Sequence, residues 1–273
     1  IWKANKPSPF NHFLNVPHMM GPSSNQFYKK ELLYFVSRLE EFSGRKLETT
    51  KLREAIRLYN RRRALLRELY ELRKENPPRV AGTEITQLLV AGMGIPASEH
   101  IELIEGLIDD VKKRPTAKAD GLPRIFLWGN EIDDISFIQL VEDCGAHVVM
   151  DDLCTGTRFF WQDVPETDDP FDGLVQRYLG THCPRTLKPQ AGDRAEDLAC
   201  RFGHIKQFID AWSADGAIFY IVRYCDTCEL EGPDLKEYLH RFKLPVLMIE
   251  DDYSTSTIGQ LRTRVQAFLE MIM

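Results

Sequence analysis

Four short apolar runs, each followed by a helical stretch, constrain this chain more than any other feature. They fall at 124–128 (RIFLW), 146–150 (AHVVM), 217–223 (AIFYIVR) and 245–249 (PVLMI). Helical periodicity marks 132–144, 170–179, 194–212, 230–242 and 258–272. Strands that are apolar almost without interruption are buried on both faces, and their alternation with helices calls for crossover connections. The expected fold class is therefore α/β: a helical layer followed by a doubly wound Rossmann-like parallel-sheet domain over 118–273. The helical layer covers 26–117. Leu32, Phe35, Val36 and Leu39 open it at helical spacing. A long helix then starts at Thr49 or Thr50 and ends before Pro77-Pro78, and two more follow at 83–93 and 98–114. Residues 1–25, broken by Pro7, Pro9, Pro17, Gly21 and Pro22, read as an irregular lead-in. A start at Ile1 suggests a lobe preceding it.

Composition narrows the function classes. With 41 acidic against 35 basic residues, the net charge of −6 argues against a general nucleic-acid binder. No apolar run reaches the roughly 18 residues of a membrane span. Six cysteines in 273 residues are too sparse for a disulfide scaffold. With no signal peptide visible, a reducing cytoplasmic location is expected. There is no P-loop, no strand-following G-x-G-x-x-G and no G-x-S-x-G elbow, which disfavours nucleotide hydrolysis, hydride transfer and serine hydrolysis in this chain.

Ligands of open parallel sheets bind outside the carboxyl ends of the strands. Gly129-Asn130-Glu131 follow the first run. Asp151, Asp152 and Cys154 follow the second, with Arg158 behind them. Arg223, Cys225 and Asp226 follow the third, and Glu250, Asp251 and Asp252 the fourth. Carboxylates there are explained equally well by a chain leaving its core. Two cysteines at equivalent places are not, because a free cysteine usually packs as a small hydrophobe. Cys154 and Cys225 are thus candidates for metal binding, dithiol exchange or nucleophilic chemistry. Cys225 and Cys228 form a C-x-x-C, a weak motif on its own, and His182-Cys183 fit no standard zinc spacing. An iron–sulfur cluster needs convergent thiolates rather than a compact motif. The long helix carries Arg57, Arg61, Arg62, Arg63, Arg67, Arg73 and Lys74. A solvated face with i,i+4 pairs such as Arg67–Glu71 is the plainer reading, and a phosphate site is the sharper one.

Several segments together resemble the 2-hydroxyacyl-CoA dehydratase / benzoyl-CoA reductase family. They are DDLCTGTR (151–158), RYCD (223–226), EDD (250–252) with GQLRTRVQAFLE (259–270), LREAIRLYNRRR (52–63), FLNVP (13–17) and LEEFSG (39–44). The resemblance runs from about residue 13 to the end. It implies a subunit of an iron–sulfur acyl-CoA dehydratase (a lyase) or benzoyl-CoA reductase (an oxidoreductase). Such a subunit holds a [4Fe–4S] cluster and pairs with a related second subunit in a heterodimer. A separate ATP-dependent activator donates a low-potential electron, which serves dehydration or aromatic-ring reduction of an acyl-CoA, a form of anaerobic metabolism. Cys154 and Cys225 match two of three cluster cysteines, and the third ligand is expected outside this chain, in the lobe this chain lacks. Asp151, Asp152, Arg158, Asp226 and Cys228 are expected beside the cluster, with the carboxylates adding negative charge that lowers its potential. Arg61, Arg62 and Arg63 are candidates for CoA phosphates. No catalytic base is assigned. The alternatives are a zinc or dithiol redox module on Cys225/Cys228 and a non-catalytic partner subunit.

Overall fold

The computed structural model describes residues 8–115, 117–252 and 257–273; the first seven positions of the expected lead-in lie outside them. The chain divides into two compact units.

The first unit comprises residues 1–60, 163–182 and 186–189. Helix α1 (Pro22–Ser43) starts on a proline, which suits the first turn because its missing N–H has no partner to lose there. It ends on Gly44 in the left-handed conformation (φ 69°). Helix α2 (Thr49–Glu71) begins in this unit and continues into the other, stopping six residues short of Pro77. Tyr28 of α1 packs with Val175 and Leu179, against Leu14, Val16 and Leu32. Lys29 pairs with Asp169 at 2.7 Å and Asp172 at 2.6 Å. Asn60 and Val164 exchange hydrogen bonds of 2.8 and 2.9 Å.

The second unit comprises residues 61–162, 183–185 and 190–273. It holds helices α3 (Gly82–Gly94) and α4 (Ala97–Lys113), then a parallel sheet of strands β1 (Arg124–Gly129), β2 (His147–Asp152), β3 (Gly216–Val222) and β4 (Val246–Asp251). The remaining helices are α5 (Ser136–Asp143), α6 (Thr157–Phe160), α8 (Arg194–Ala211), α9 (Asp226–His240) and α10 (Ile258–Ile272); α7 (Pro170–Leu179) belongs to the first unit. The strand order is β2-β1-β3-β4. Alternate strand residues feed two cores, as the two-residue period of a strand requires. Phe126, Trp128, Phe219 and Ile221 join Phe202, Ile205 and Leu235 on one face. Ile125, Leu127, Ile218 and Tyr220 join Phe137, Val265 and Phe268 on the other. The α/β parallel-sheet expectation is met.

The boundaries differ from the sequence reading where polar residues close an element. Asp151 and Asp152 lie inside β2, and Glu250 and Asp251 inside β4, because each strand keeps pairing after its apolar run ends. Helix α9 starts at Asp226 rather than 230, and α5 at Ser136 rather than 132. The one-turn helix α6 has no counterpart in the sequence reading; it sits in a polar motif without periodicity.

Candidate functional site

In the order β2-β1-β3-β4, the chain moves to one side of β1 and then returns to the other. The crevice between the carboxyl ends of β1 and β3 is the switch point where such sheets bind ligands. Gly129 ends β1 there; a Cβ on it would lie 1.8 Å from the carbonyl oxygen of Tyr220, so only glycine fits. Asn130 follows, 2% exposed. Its side-chain oxygen accepts the Val222 N–H at 2.7 Å, and its backbone carbonyl accepts the Cys154 N–H at 3.2 Å. One buried residue thus ties the end of β3 to the Cys154 turn.

The β2 end is dense in paired charge. Asp151 and Asp152 are 5% and 3% exposed. Asp151 accepts the Tyr70 hydroxyl and, at 2.8 Å, the Thr157 N–H. Burial raises its carboxyl above the usual range, beyond what Arg73 and these donors offset. A Cβ at Gly156 would meet Asp151 Oδ1 at 1.9 Å, so the turn also needs its glycine. Asp152 takes both arms of Arg158, at 3.1 and 2.9 Å, with His204 3.8 Å away. Burial pushes Asp152 up, but Arg158 and His204 outweigh it and hold the carboxyl well below its usual range. Arg158, itself 8% exposed, also donates to the Gly129 carbonyl at 2.7 Å and lies 3.6 Å from the Cys154 sulfur. Cys154 reaches solvent. Burial of the sulfur raises its thiol against the pull of Arg158, and Cys183 nearby adds to the rise.

The β3 end is built from backbone and hydroxyl groups. Tyr224, 86% exposed, has φ 72°, a left-handed conformation that costs a non-glycine residue about 1–2 kcal/mol. Its N–H is held by Glu229 at 3.2 Å. The turn delivers Cys225 to the N-cap of α9, where its carbonyl accepts the N–H groups of Cys228 and Glu229, both at 3.0 Å. Cys225 is half-buried and Cys228 buried. Burial works to raise the Cys225 thiol, yet hydrogen bonds from Thr227, Cys228 and Asn130 prevail and hold it below its ordinary value. Burial pushes the Cys228 thiol well up, more than Arg158 offsets.

The structure brings Cys154, Arg158, Cys225 and Cys228 to one sheet edge, where the other candidates are engaged in contacts of their own or face solvent. Asp226 is exposed on the first turn of α9. Asp251 accepts the Tyr220 hydroxyl at 2.7 Å, while Arg223 pairs with Glu250 and Asp252 at 2.8 and 3.0 Å. The bare negative field expected from Asp151 and Asp152 is not what Cys154 meets, because Asp152 is matched by Arg158 and the guanidinium is the nearer group. Of the three consecutive arginines, Arg62 and Arg63 are 4% exposed, and Arg61 pairs with Glu105 at 2.6 Å. The solvated-face reading of α2 fits Arg57, Arg61 and Lys74, which are paired with Glu166, Glu105 and Glu71, but not the buried arginines. Arg67 bonds the carbonyls of Phe160 and Trp161 rather than Glu71, and Arg73 is 1% exposed. Sequence reasoning places Asn130 at a strand end without a role, weighs Cys183 only as a zinc ligand, and passes over His204. The position of Asn130 directly after a glycine at the first strand end is the available signal; Cys183 and His204 lie on segments with none.

Two thiols on turns that Asn130 ties together suit an iron–sulfur group in donor chemistry. Among the described residues, no three His, Cys, Asp or Glu side chains converge to hold a metal ion. The fit is therefore that of a partial ligand set.

Residues 1–272 match the family described as 2-hydroxyglutaryl-CoA dehydratase, D-component. A protein of Escherichia coli strain K12 that carries the provisional name of a dehydratase subunit, YjiM, is 30% identical over 268 residues, covering 96% of this chain and 68% of its own length. The (R)-phenyllactyl-CoA dehydratase beta subunit of Clostridium sporogenes is 24% identical over 92% of this chain and 64% of its own. A benzoyl-CoA reductase subunit of Thauera aromatica is 26% identical over all of this chain and 70% of its own. The chain spans about two thirds of the length of these relatives, and among its described residues no helix is long and apolar enough to cross a membrane. By the match over residues 1–272, the chain belongs to the 2-hydroxyglutaryl-CoA dehydratase D-component family, whose relatives include subunits of acyl-CoA dehydratases and of benzoyl-CoA reductase.

Proposed function

We propose that this chain is the [4Fe–4S]-binding subunit of a 2-hydroxyacyl-CoA dehydratase or benzoyl-CoA reductase-type complex. Cys154 and Cys225 supply two cluster ligands, and a third cysteine comes from outside these 273 residues. The observation that carries the reading is that Cys154 and Cys225 lie on turns at the same switch-point edge, with Asn130 bonded both to the Cys154 N–H and to the Val222 N–H that ends β3. When bound, the cluster would supply the low-potential electron that a thioester or aromatic ring demands. The chain's own groups do the rest. Asn130 ties the Cys154 turn to the end of β3, and Arg158 places a donor 3.6 Å from the Cys154 sulfur. Arg158 is itself fixed by Asp152. A related second subunit makes up the heterodimer, an ATP-dependent activator delivers the electron, and an acyl-CoA is the substrate. Arg61, exposed and paired with Glu105, remains a candidate CoA-phosphate contact, whereas Arg62 and Arg63 are buried.

Anaerobic purification of the complex with iron and sulfide analysis tests the reading. Iron and acid-labile sulfide should fall in both Cys154→Ser and Cys225→Ser. Undiminished iron in both variants overturns it. Zinc without sulfide points instead to a metal or dithiol module on Cys225/Cys228, and a metal-free active complex to a non-catalytic partner role.

A further inference from the structure

Cys228 has no part in the reading above, yet its placement is specific. It is 1% exposed, on the first turn of α9, three residues after Cys225. Its backbone N–H donates to the Cys225 carbonyl at 3.0 Å, which holds the two residues in one turn. Two residues three apart on an α-helix have Cα atoms about 5 Å apart, from the helix rise and radius. That falls inside the range a disulfide spans. Cys225 sits just outside the helix as its N-cap, at φ −87° and ψ 79°. Its Cβ is therefore not held to helical direction. The first turn is clamped by the Cys228 and Glu229 N–H groups on the Cys225 carbonyl. The two thiols also differ in access: Cys225 is half-buried, whereas Cys228 is closed to solvent. A reagent from solution meets Cys225 first, and Cys228 waits beneath it.

We propose that Cys225 and Cys228 form a reversible dithiol–disulfide pair, closed by a low-molecular-weight disulfide whenever no metal occupies Cys225. The Cys225 thiolate attacks one sulfur of the small disulfide. One thiolate leaves, and a mixed disulfide remains on Cys225. Cys228 then gives up its proton and attacks the Cys225 sulfur, and the second small thiol leaves. Two protein thiols are oxidised, one small disulfide is reduced to two thiols, and no other oxidant is needed. The competition with metal rests on Cys225 being a cluster ligand; the dithiol chemistry does not. In the closed form the sulfur cannot ligate, so the pair stores Cys225 in a reducible state rather than leaving it to irreversible oxidation.

The experiment treats the metal-free 273-residue chain with bis(2-hydroxyethyl) disulfide under argon, followed by thiol counting and peptide mass mapping. The Cys225–Cys228 peptide should become two hydrogens lighter, whereas exposed thiols such as Cys154 and Cys200 should carry the reagent as mixed disulfides. Cys228→Ser should stop at a mixed disulfide on Cys225, and Cys228→Ala gives the same readout should the serine variant unfold. A bridge between other cysteines, or a lasting mixed disulfide on Cys225 in the unsubstituted chain, overturns the proposal. Iron and sulfide are measured separately on the intact complex carrying Cys228→Ser. Retained iron with no disulfide in the parent chain sinks the dithiol pair alone, and a disulfide without iron binding sinks the cluster reading alone.

Discussion

At the end of β2 the chain takes charge inside. Asp151 and Asp152 are nearly sealed, and each is answered by a buried arginine: Arg73 4.0 Å from the first, Arg158 in a two-armed pair with the second. At the end of β3 there is no buried ion pair around the thiol among the described residues. Cys225 is held by a threonine hydroxyl and the first turn of a helix. The same sheet edge therefore presents one thiol beside a guanidinium and another among neutral donors. The difference teaches where each thiol's properties originate. A buried ion pair is held by the whole core around it, so Cys154 answers to stability. A neutral hydrogen bond on a half-exposed turn is local, so Cys225 can be tuned without disturbing the fold.

The strongest way to break this contrast is to remove the guanidinium. Arg158→Met leaves Asp152 buried without its main partner, and breaking such a pair costs about 3–5 kcal/mol. Denaturant unfolding should show a loss of that size, and Asp152→Leu added to Arg158→Met should recover most of it. Recovery is the informative result. It would show that the pair serves placement near Cys154 rather than net stability.

Acid titration sharpens the comparison within the β2 end itself. Asp152 has a folded-state carboxyl depressed by Arg158 and His204 against its burial. It contributes stability above the unfolded value near 3.9, and that stability is lost as pH falls below it. Asp151 is raised by burial. Its contribution is present below about pH 3.9 and is lost as pH climbs through the raised folded value. Two neighbouring carboxylates thus tilt the stability curve in opposite directions. Asp152→Asn should flatten the acid limb below about pH 3.9, whereas Asp151→Asn should remove a loss above it. Unfolding free energies of both variants across this range check the signs, and slopes of the same sign would refute the assignment.

Asn130 is where the two ends meet, and it comes next in size. Asn130→Ala strands the half-buried Val222 N–H, a cost of about 1 kcal/mol. The distinguishing readout is alkylation of both thiols in the metal-free chain. If Asn130 joins the two turns, Cys154 and Cys225 should both change in rate. A change at one thiol alone would separate the turns.

Much of this is legible in the sequence, and the reasons are specific. RIFLW and AIFYIVR announce themselves because strands buried on both faces have no polar positions to confuse the period. Cys154 and Cys225 stand out because topology sends every strand end of a parallel sheet to one edge, and strand positions alone locate that edge. What the sequence does not show is which polar groups are already committed. Asp152 and Arg158, six residues apart, give no sign of facing one another until α6 turns the chain back. Arg62 and Arg63 look like surface charge in a run of three arginines, yet both are buried. Tyr70 and Asp151 are 81 residues apart and meet only through the packing of α2 on the sheet.

The smallest effect tests the neutral side of the contrast most directly. The Thr227 hydroxyl lies 3.5 Å from the Cys225 sulfur. After burial, which acts the other way, it is the foremost influence on that thiol. Thr227→Val keeps the side chain's shape and removes the hydroxyl. On a half-buried turn the stability change should stay within about 0.5 kcal/mol. The thiol should respond more than the fold does. A net hydrogen bond of about 1 kcal/mol corresponds to somewhat under one pH unit, so the alkylation midpoint of Cys225 should move up by a fraction of a unit. Thr227→Ser, which keeps the donor, should leave it in place. The Cys154 midpoint should not move in either variant, since its partners are Arg158 and Cys183 rather than a hydroxyl of α9. A shift at Cys154 equal to that at Cys225 would mean the two ends are electrostatically one site, and the division between ion-paired and neutral thiols would have to be abandoned.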